Sequence, residues 1–290
     1  MRKPGEFAGF LRLSRVIFRR PPPSQPSRQP RMKKKIELRH LAAVIGIMFL
    51  FGSAYPVGKL GVSHFPPYLF AALRSSMLAL ILIPFWKFQP PPRRLVLPLA
   101  GFCMCMGVGA YAPIFAALAL SDAVSPIIIG NQLSIPFAVL LGWAILREKV
   151  ALPVWIAIAA GFAGIVVIAY EPGLLDDLPA LGLAVLGGFF YAAATILARQ
   201  LRDLGSYVLN GWMAFTAVAP LLALSFALET GQIEALSTAG WPDWAAVAHG
   251  AIAVSFFGHV AMFSLYRHYE VSQVIPFYAL TPVFGILVTI

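Results

Sequence analysis

Residues 51–74 read FGSAYPVGKLGVSHFPPYLFAALR, an apolar run that carries Pro56, Lys59 and Arg74. Either this run is not a membrane span, or it is a span with a job, and the surrounding composition decides between the two. Of 290 residues, 59% are apolar and only 12% charged. The mean hydropathy of +0.80 lies beyond the range of soluble globular chains. A bilayer core takes roughly 20 apolar residues per helix, and apolar blocks recur here at about that length. Blocks such as LAVLGGFFYAAATIL are apolar on every face, whereas barrel strands alternate. The expected fold is an all-α polytopic membrane protein.

The net charge of +10 does not point to nucleic acid, because 12 of the 22 Lys and Arg residues lie between Arg2 and Arg39. Residues 1–40 form a basic, Pro-rich tail whose RRPPPSQPSRQPR stretch cannot pack. The segment FAGFLRLSRVIFRR is open to three readings: a basic amphipathic helix on an anionic surface, an organelle transit sequence, or an upstream extension to a protein starting at Met32. Cys103 and Cys105 stand two apart in an apolar block, match no metal or redox spacing, and read as packing residues. No metal site and no cofactor is expected.

Nine spans are expected at about 41–61, 66–86, 96–118, 123–146, 152–170, 178–198, 207–228, 244–265 and 271–290. The loops test this placement, since Lys and Arg gather on the cytoplasmic side. One side holds the tail, KFQPPPRR, REK, RQLRD and RHYE. The other holds Asp122, Glu171, Asp176, Asp177, Glu229, Glu234 and Asp243, with no Lys or Arg. The amino terminus is therefore expected in the cytoplasm. Lys59 and Arg74 alone fall outside this sorting, and both lie in the quoted stretch.

Shifting the chain by 147 residues lays LALSDAVSPIIIGNQLSIPFAVL over LYRHYEVSQVIPFYALTPVFGIL, with Ser134 opposite Thr281. A shift of 140 aligns Phe49, Ala54 and Lys59 with Phe189, Ala194 and Arg199. A five-span unit is odd, so its second copy sits upside down, as in many secondary transporters. The expected organisation is the tail at 1–40, a first copy at 41–170 and a second at 177–290. Ile290 corresponds to Trp143, so a tenth span is expected to be missing from this chain.

FGSAYPVGKLGVSHFPPYLFAALR, LSIPFAVLLGWAILREK and LTPVFGILV together resemble the EamA-type branch of the drug/metabolite transporter superfamily. The resemblance covers about residues 41–290. It rests on Phe51, Gly52 and Ser53, on Pro66, Pro67 and Arg74, on Pro136 and Glu148, and on Leu280, Pro282 and Val283, in that order. It implies a five-plus-five inverted repeat, and an exporter or exchanger of small metabolites such as amino acids, with a cavity between the repeats. It also implies a bacterial inner membrane. The implied partners are a small-molecule substrate and the lipid bilayer, with a second copy of the chain as a candidate.

Polar groups deep in hydrocarbon are costly and mark function by default. Arg74 can hold a carboxylate through two parallel hydrogen bonds or fix the architecture by binding carbonyls of a broken helix. Asn131 and Gln132 are cavity candidates, although neighbours on a helix diverge by about 100°, so only one of them is expected to face it. Ser134 and Thr281 would face each other across the pseudo-axis, or bond back to their own helices. Tyr55, Tyr111, Tyr191, Trp212 and Tyr278 would line an amphipathic pocket, or serve packing and interfacial roles. His249 and His259 are a candidate proton relay, with His259 the preferred member. Glu148 reads as a solvated positioning charge. Lys59 either snorkels outward or guards the outer mouth, and Gly52, Pro56, Pro136 and Pro282 are candidates for bending helices.

There is no GxxxxGK[ST] loop, so ATP does not drive this chain directly. The leading expectation is a secondary transporter working by alternating access. A non-transporting membrane subunit or receptor is the alternative. An intramembrane enzyme is disfavoured because no HExxH pair is present.

Overall fold

In a bilayer every backbone polar group must be satisfied within the chain, and the protein answers with helices. The computed structural model describes residues 37–86, 88, 90–147, 150–169, 177–268 and 274–289, and no strand occurs among them. Most of the tail, Glu148, Glu171 and Asp176 lie outside the described residues. Among the described residues, seven helices are long and apolar enough to cross a membrane. They are α1 (Leu38–His64), α2 (Pro67–Trp86), α3 (Arg93–Leu120), α4 (Val124–Ile145), α6 (Leu178–Gln200), α7 (Ser206–Leu228) and α8 (Trp241–Met262). The fifth and ninth expected spans correspond to α5 (Leu152–Ala169) and α9 (Leu280–Thr289). Their apolar stretches, Leu152–Gly164 and Phe277–Val288, are shorter. A short helix, Gln232–Thr238, links α7 to α8.

Prolines set the joints. A residue before proline is pushed to extended backbone, so Phe65 has ψ 139° and closes α1 with its N–H on the Gly61 carbonyl. Pro67 then opens α2, where a missing N–H costs nothing. Pro136 and Pro282 each stand third in a helix, in Ser134–Leu146 and in α9. Each removes the bond that would reach the carbonyl four residues back, at Gln132 and at Tyr278. Two breaks follow: a turn at Gln132–Leu133 inside α4 and a 3-10 segment, Ile275–Ala279, before α9.

Pro56, by contrast, does not interrupt α1, which stays helical from Leu38 to His64. Gly52 serves close packing there. A Cβ at Gly52 would lie 2.7 Å from the Gly285 nitrogen and 2.8 Å from the Thr281 carbonyl oxygen, so its absence lets α9 pack directly on α1.

Two wide-turn π-helical segments, Cys103–Ala110 in α3 and His249–His259 in α8, stand close to the 147-residue offset read from the sequence. α1 lies on α9 as α6 lies on α4, α3 on α6 as α8 on α1, and α3 on α7 as α8 on α2, while α2 packs on α7 across the centre.

The two ends of the bundle differ. At the end holding the acidic loops, the Glu229 carboxylate accepts the first backbone N–H groups of α2, from Tyr68 at 2.7 Å and Leu69 at 3.2 Å. A carboxylate is favoured there by the helix dipole. His64 Nε2 lies 2.9 Å from the Ala235 carbonyl, and its Nδ1 is 3.8 Å from Asp243. At the other end an exposed Arg94–Asp203 pair at 3.8 Å joins the start of α3 to the α6–α7 loop.

Candidate functional site

A cavity lies where the breaks and wide turns converge. Its wall includes Phe51, Tyr55, Arg74, Tyr111, Asn131, Gln132, Ser134, Tyr191, His249, His259, Tyr278 and Thr281. Most of the expected site residues therefore meet in one place. Asn131 and Gln132 both reach it, contrary to the expectation from helical spacing. The turn at Gln132–Leu133 interrupts the 100° progression that would have separated them.

That break is held from across the bundle. The Tyr278 carbonyl has lost its helical partner to Pro282 and instead accepts a hydrogen bond from Gln132 Nε2 at 3.0 Å. The Gln132 carbonyl takes the N–H of Ile135 at 3.0 Å. Asn131 donates to the Tyr55 hydroxyl, and Tyr191 and Tyr278 meet hydroxyl to hydroxyl at 3.1 Å. Each broken helix is thus tied to a tyrosine of its neighbouring span. Ser134 and Thr281 are both buried in the wall, and the Thr281 hydroxyl lies 3.6 Å from the Met48 sulfur.

Arg74 is 3% exposed. Its Nε donates to the Gly250 carbonyl at 3.0 Å, and its Nη2 to the Ser255 hydroxyl. A π-helical turn leaves carbonyls without their usual i+4 partners, and Arg74 binds such a turn. Gly250 makes room for it, since a Cβ there would come within 2.7 Å of Arg74 Cδ. The guanidinium carbon also sits 3.9 Å over the Tyr111 ring, a cation–π contact. Nη1 finds no acceptor among the described residues, and no described carboxylate lies within ion-pair distance of the group.

Lys59 has a different setting. Its ammonium donates to the Leu118 carbonyl at 3.0 Å and the Ser121 carbonyl at 2.7 Å. Both carbonyls belong to the C-terminal end of α3, which the helix dipole makes negative. Lys59 is absent from the cavity wall. Trp212 is absent too, and packs against Trp86 with ring centroids 4.8 Å apart.

The two histidines also differ. His259 is 5% exposed, lies 4.7 Å from the Phe51 ring, and has Nδ1 3.1 Å from the Val254 carbonyl. His249 has Nε2 3.1 Å from the Ser53 hydroxyl, and its buried Nδ1 has no hydrogen-bond partner among the described residues. Tyr111 OH and Asn131 Oδ1, on the same wall, are likewise buried without partners among the described residues. The polar roles of Ser53 and Glu229 are not marked in the sequence. An isolated serine, or an acidic loop residue, gives no periodic signal there.

The model of the EamA-like transporter family matches the chain twice, over residues 38–170 and 178–290. The chain belongs to the EamA-like transporter family. As a family member it is a multi-pass membrane transporter and not an enzyme. It is 23% identical over 248 residues to a Salmonella typhimurium protein named "Probable amino-acid metabolite efflux pump". That likeness covers 83% of this chain and 82% of the relative. A solved crystal structure shares the fold at a TM-score of 0.60 and 17% identity, over 86% of this chain and 88% of its own.

Proposed function

We propose that this EamA-family transporter is a secondary exporter or exchanger of small carboxylate-bearing metabolites such as amino acids. Residues 41–170 and 177–290 act as two inverted repeats, and their rocking exposes the cavity alternately to each face. The breaks in α4 and before α9, joined through Gln132 and Tyr278, form the seam between them. The protein works in a bacterial inner membrane, and the sorting of basic loops supports a cytoplasmic amino terminus. The Salmonella relative, by its name, supports both the cargo class and the outward direction.

Arg74 carries the reading. It is a buried cation on a mostly apolar and aromatic wall, with no described counter-ion and with Nη1 unused. An unpaired buried charge is costly, and a cargo carboxylate would supply the missing acceptor in a charge-assisted bond. The apolar wall would accept an aliphatic or aromatic side chain. Asn131 Oδ1 and His249 Nδ1 would accept N–H groups from the same cargo.

The test is solute movement by the full chain in liposomes, across a panel of amino acids and related carboxylates. Uptake of a labelled member against unlabelled counter-substrate is the expected outcome. A panel on which no carboxylate moves faster than in empty vesicles would overturn the reading.

A further inference from the structure

The cavity wall holds titratable groups from nearly every span around it: Tyr55, Arg74, Tyr111, Tyr191, His249, His259 and Tyr278. No carboxylate of the described residues is among them. Phenols and guanidinium groups keep their protons across the physiological range, whereas imidazole does not. The choice of a proton carrier therefore falls between the two histidines.

Hydrogen bonding separates them. The Ser53 hydroxyl donates its single proton to the Leu50 carbonyl at 2.9 Å. Toward His249 Nε2, 3.1 Å away, it can therefore only accept. With the hydroxyl proton on the Leu50 carbonyl, the compatible neutral tautomer of His249 holds its proton on Nε2 and its lone pair on Nδ1. Nδ1 is buried, on a residue of the cavity wall, and meets no partner among the described residues. The next residue, Gly250, carries the carbonyl that Arg74 Nε binds, and His249 and Arg74 line the same cavity. His259 instead has Nδ1 at the Val254 carbonyl and its ring against Phe51.

We propose that His249 Nδ1 is the proton-exchange site of this transporter, binding either a proton or an N–H of the cargo's ammonium group but never both. The inference rests on the carboxylate-bearing cargo reading above. When cargo leaves to the outer medium, a proton from that side adds to Nδ1 and gives imidazolium. After reorientation that proton passes to the cytoplasm. The restored lone pair then accepts an ammonium N–H of the next cargo molecule, whose carboxylate meets Arg74. One proton enters for each molecule exported.

The experiment uses the full chain in liposomes loaded with a pH dye and a uniformly radiolabelled mixture of the proteinogenic amino acids. The readout is protons entering per amino acid leaving, a ratio independent of how much protein is active. The wild type is expected to give about one. His249→Gln slows efflux, and the ratio of what remains falls at least about tenfold, since an amide carries no exchangeable charge. Ser53→Ala leaves the imidazole in place but frees its tautomer, and the ratio falls by about two- to threefold. Efflux without proton entry in the wild type, or wild-type ratios in both variants, overturns the inference while the cargo reading stands. Absence of any efflux overturns both.

Discussion

Lys59 and Arg74 are both cations in apolar helices, and both bind backbone carbonyls at an irregular point of a neighbouring helix. They differ in what is left over. Lys59 spends its contacts on the C-terminal carbonyls of α3 and stands off the cavity wall. Arg74 braces the wide turn of α8 with Nε and Nη2 and keeps Nη1 without an acceptor among the described residues, on a side chain that lines the cavity. The fork of a guanidinium allows this division of labour, which a single ammonium does not. An intramembrane charge is thus read by asking whether the donors that remain once the architecture is satisfied belong to a residue of the cavity wall.

Substitutions at the two cations should pull this contrast apart. Arg74→Ala removes both the brace and the cargo contact, and exchange in liposomes is expected to fall by about a hundredfold or more, the scale of breaking a buried charged interaction. Arg74→Lys keeps the charge but cannot hold the turn and face the cavity together, so a loss of about tenfold is expected. Should Lys restore full exchange, the fork geometry would be irrelevant and the contrast would collapse. Lys59→Met is expected to lower stability by about 2 kcal/mol through the uncapped α3 end. Thermal unfolding in detergent would read that loss, with the apparent KM for cargo little changed. A large rise in KM would return Lys59 to the role of a guard at the outer mouth.

Smaller effects probe the seam. Gln132→Ala leaves the Tyr278 carbonyl without its amide partner, and exchange is expected to slow by about five- to tenfold. The double variant Gln132→Ala with Pro282→Ala can regain a helical bond to that carbonyl. Its stability, read by thermal unfolding, should recover above that of Gln132→Ala alone even where transport does not. Trp212→Phe, on the packed aromatic face beside Trp86, is expected to change exchange by less than about twofold.

Much of this was legible in the sequence for identifiable reasons. Apolar block length and the sorting of loop charges locate the helices. Pro66 and Pro67 mark the α1–α2 joint, and the resemblance carried by Arg74, Pro136 and Pro282 points to the family. What was hidden depended on departures from a regular helix. Spacing alone separates Asn131 from Gln132, yet Pro136 stands four residues after Gln132 and carried the signal for the break that brings them together. The wide turns at Cys103–Ala110 and His249–His259 have no comparable marker, since glycine and small residues are common throughout apolar helices. The choice of His249 over His259 needed the Ser53 hydroxyl, which lies 196 residues away in sequence.

The central claim, that Arg74 completes its coordination with a cargo carboxylate, is tested most directly by competition. Full-length protein in liposomes exchanging a labelled amino acid is challenged with that amino acid and with its carboxamide, in which an uncharged NH2 donor replaces the anionic acceptor oxygen. The account predicts that the amide competes at least about a hundredfold more weakly against wild type, and that this preference disappears in Arg74→Ala. Equal competition by acid and amide in the wild type would contradict it.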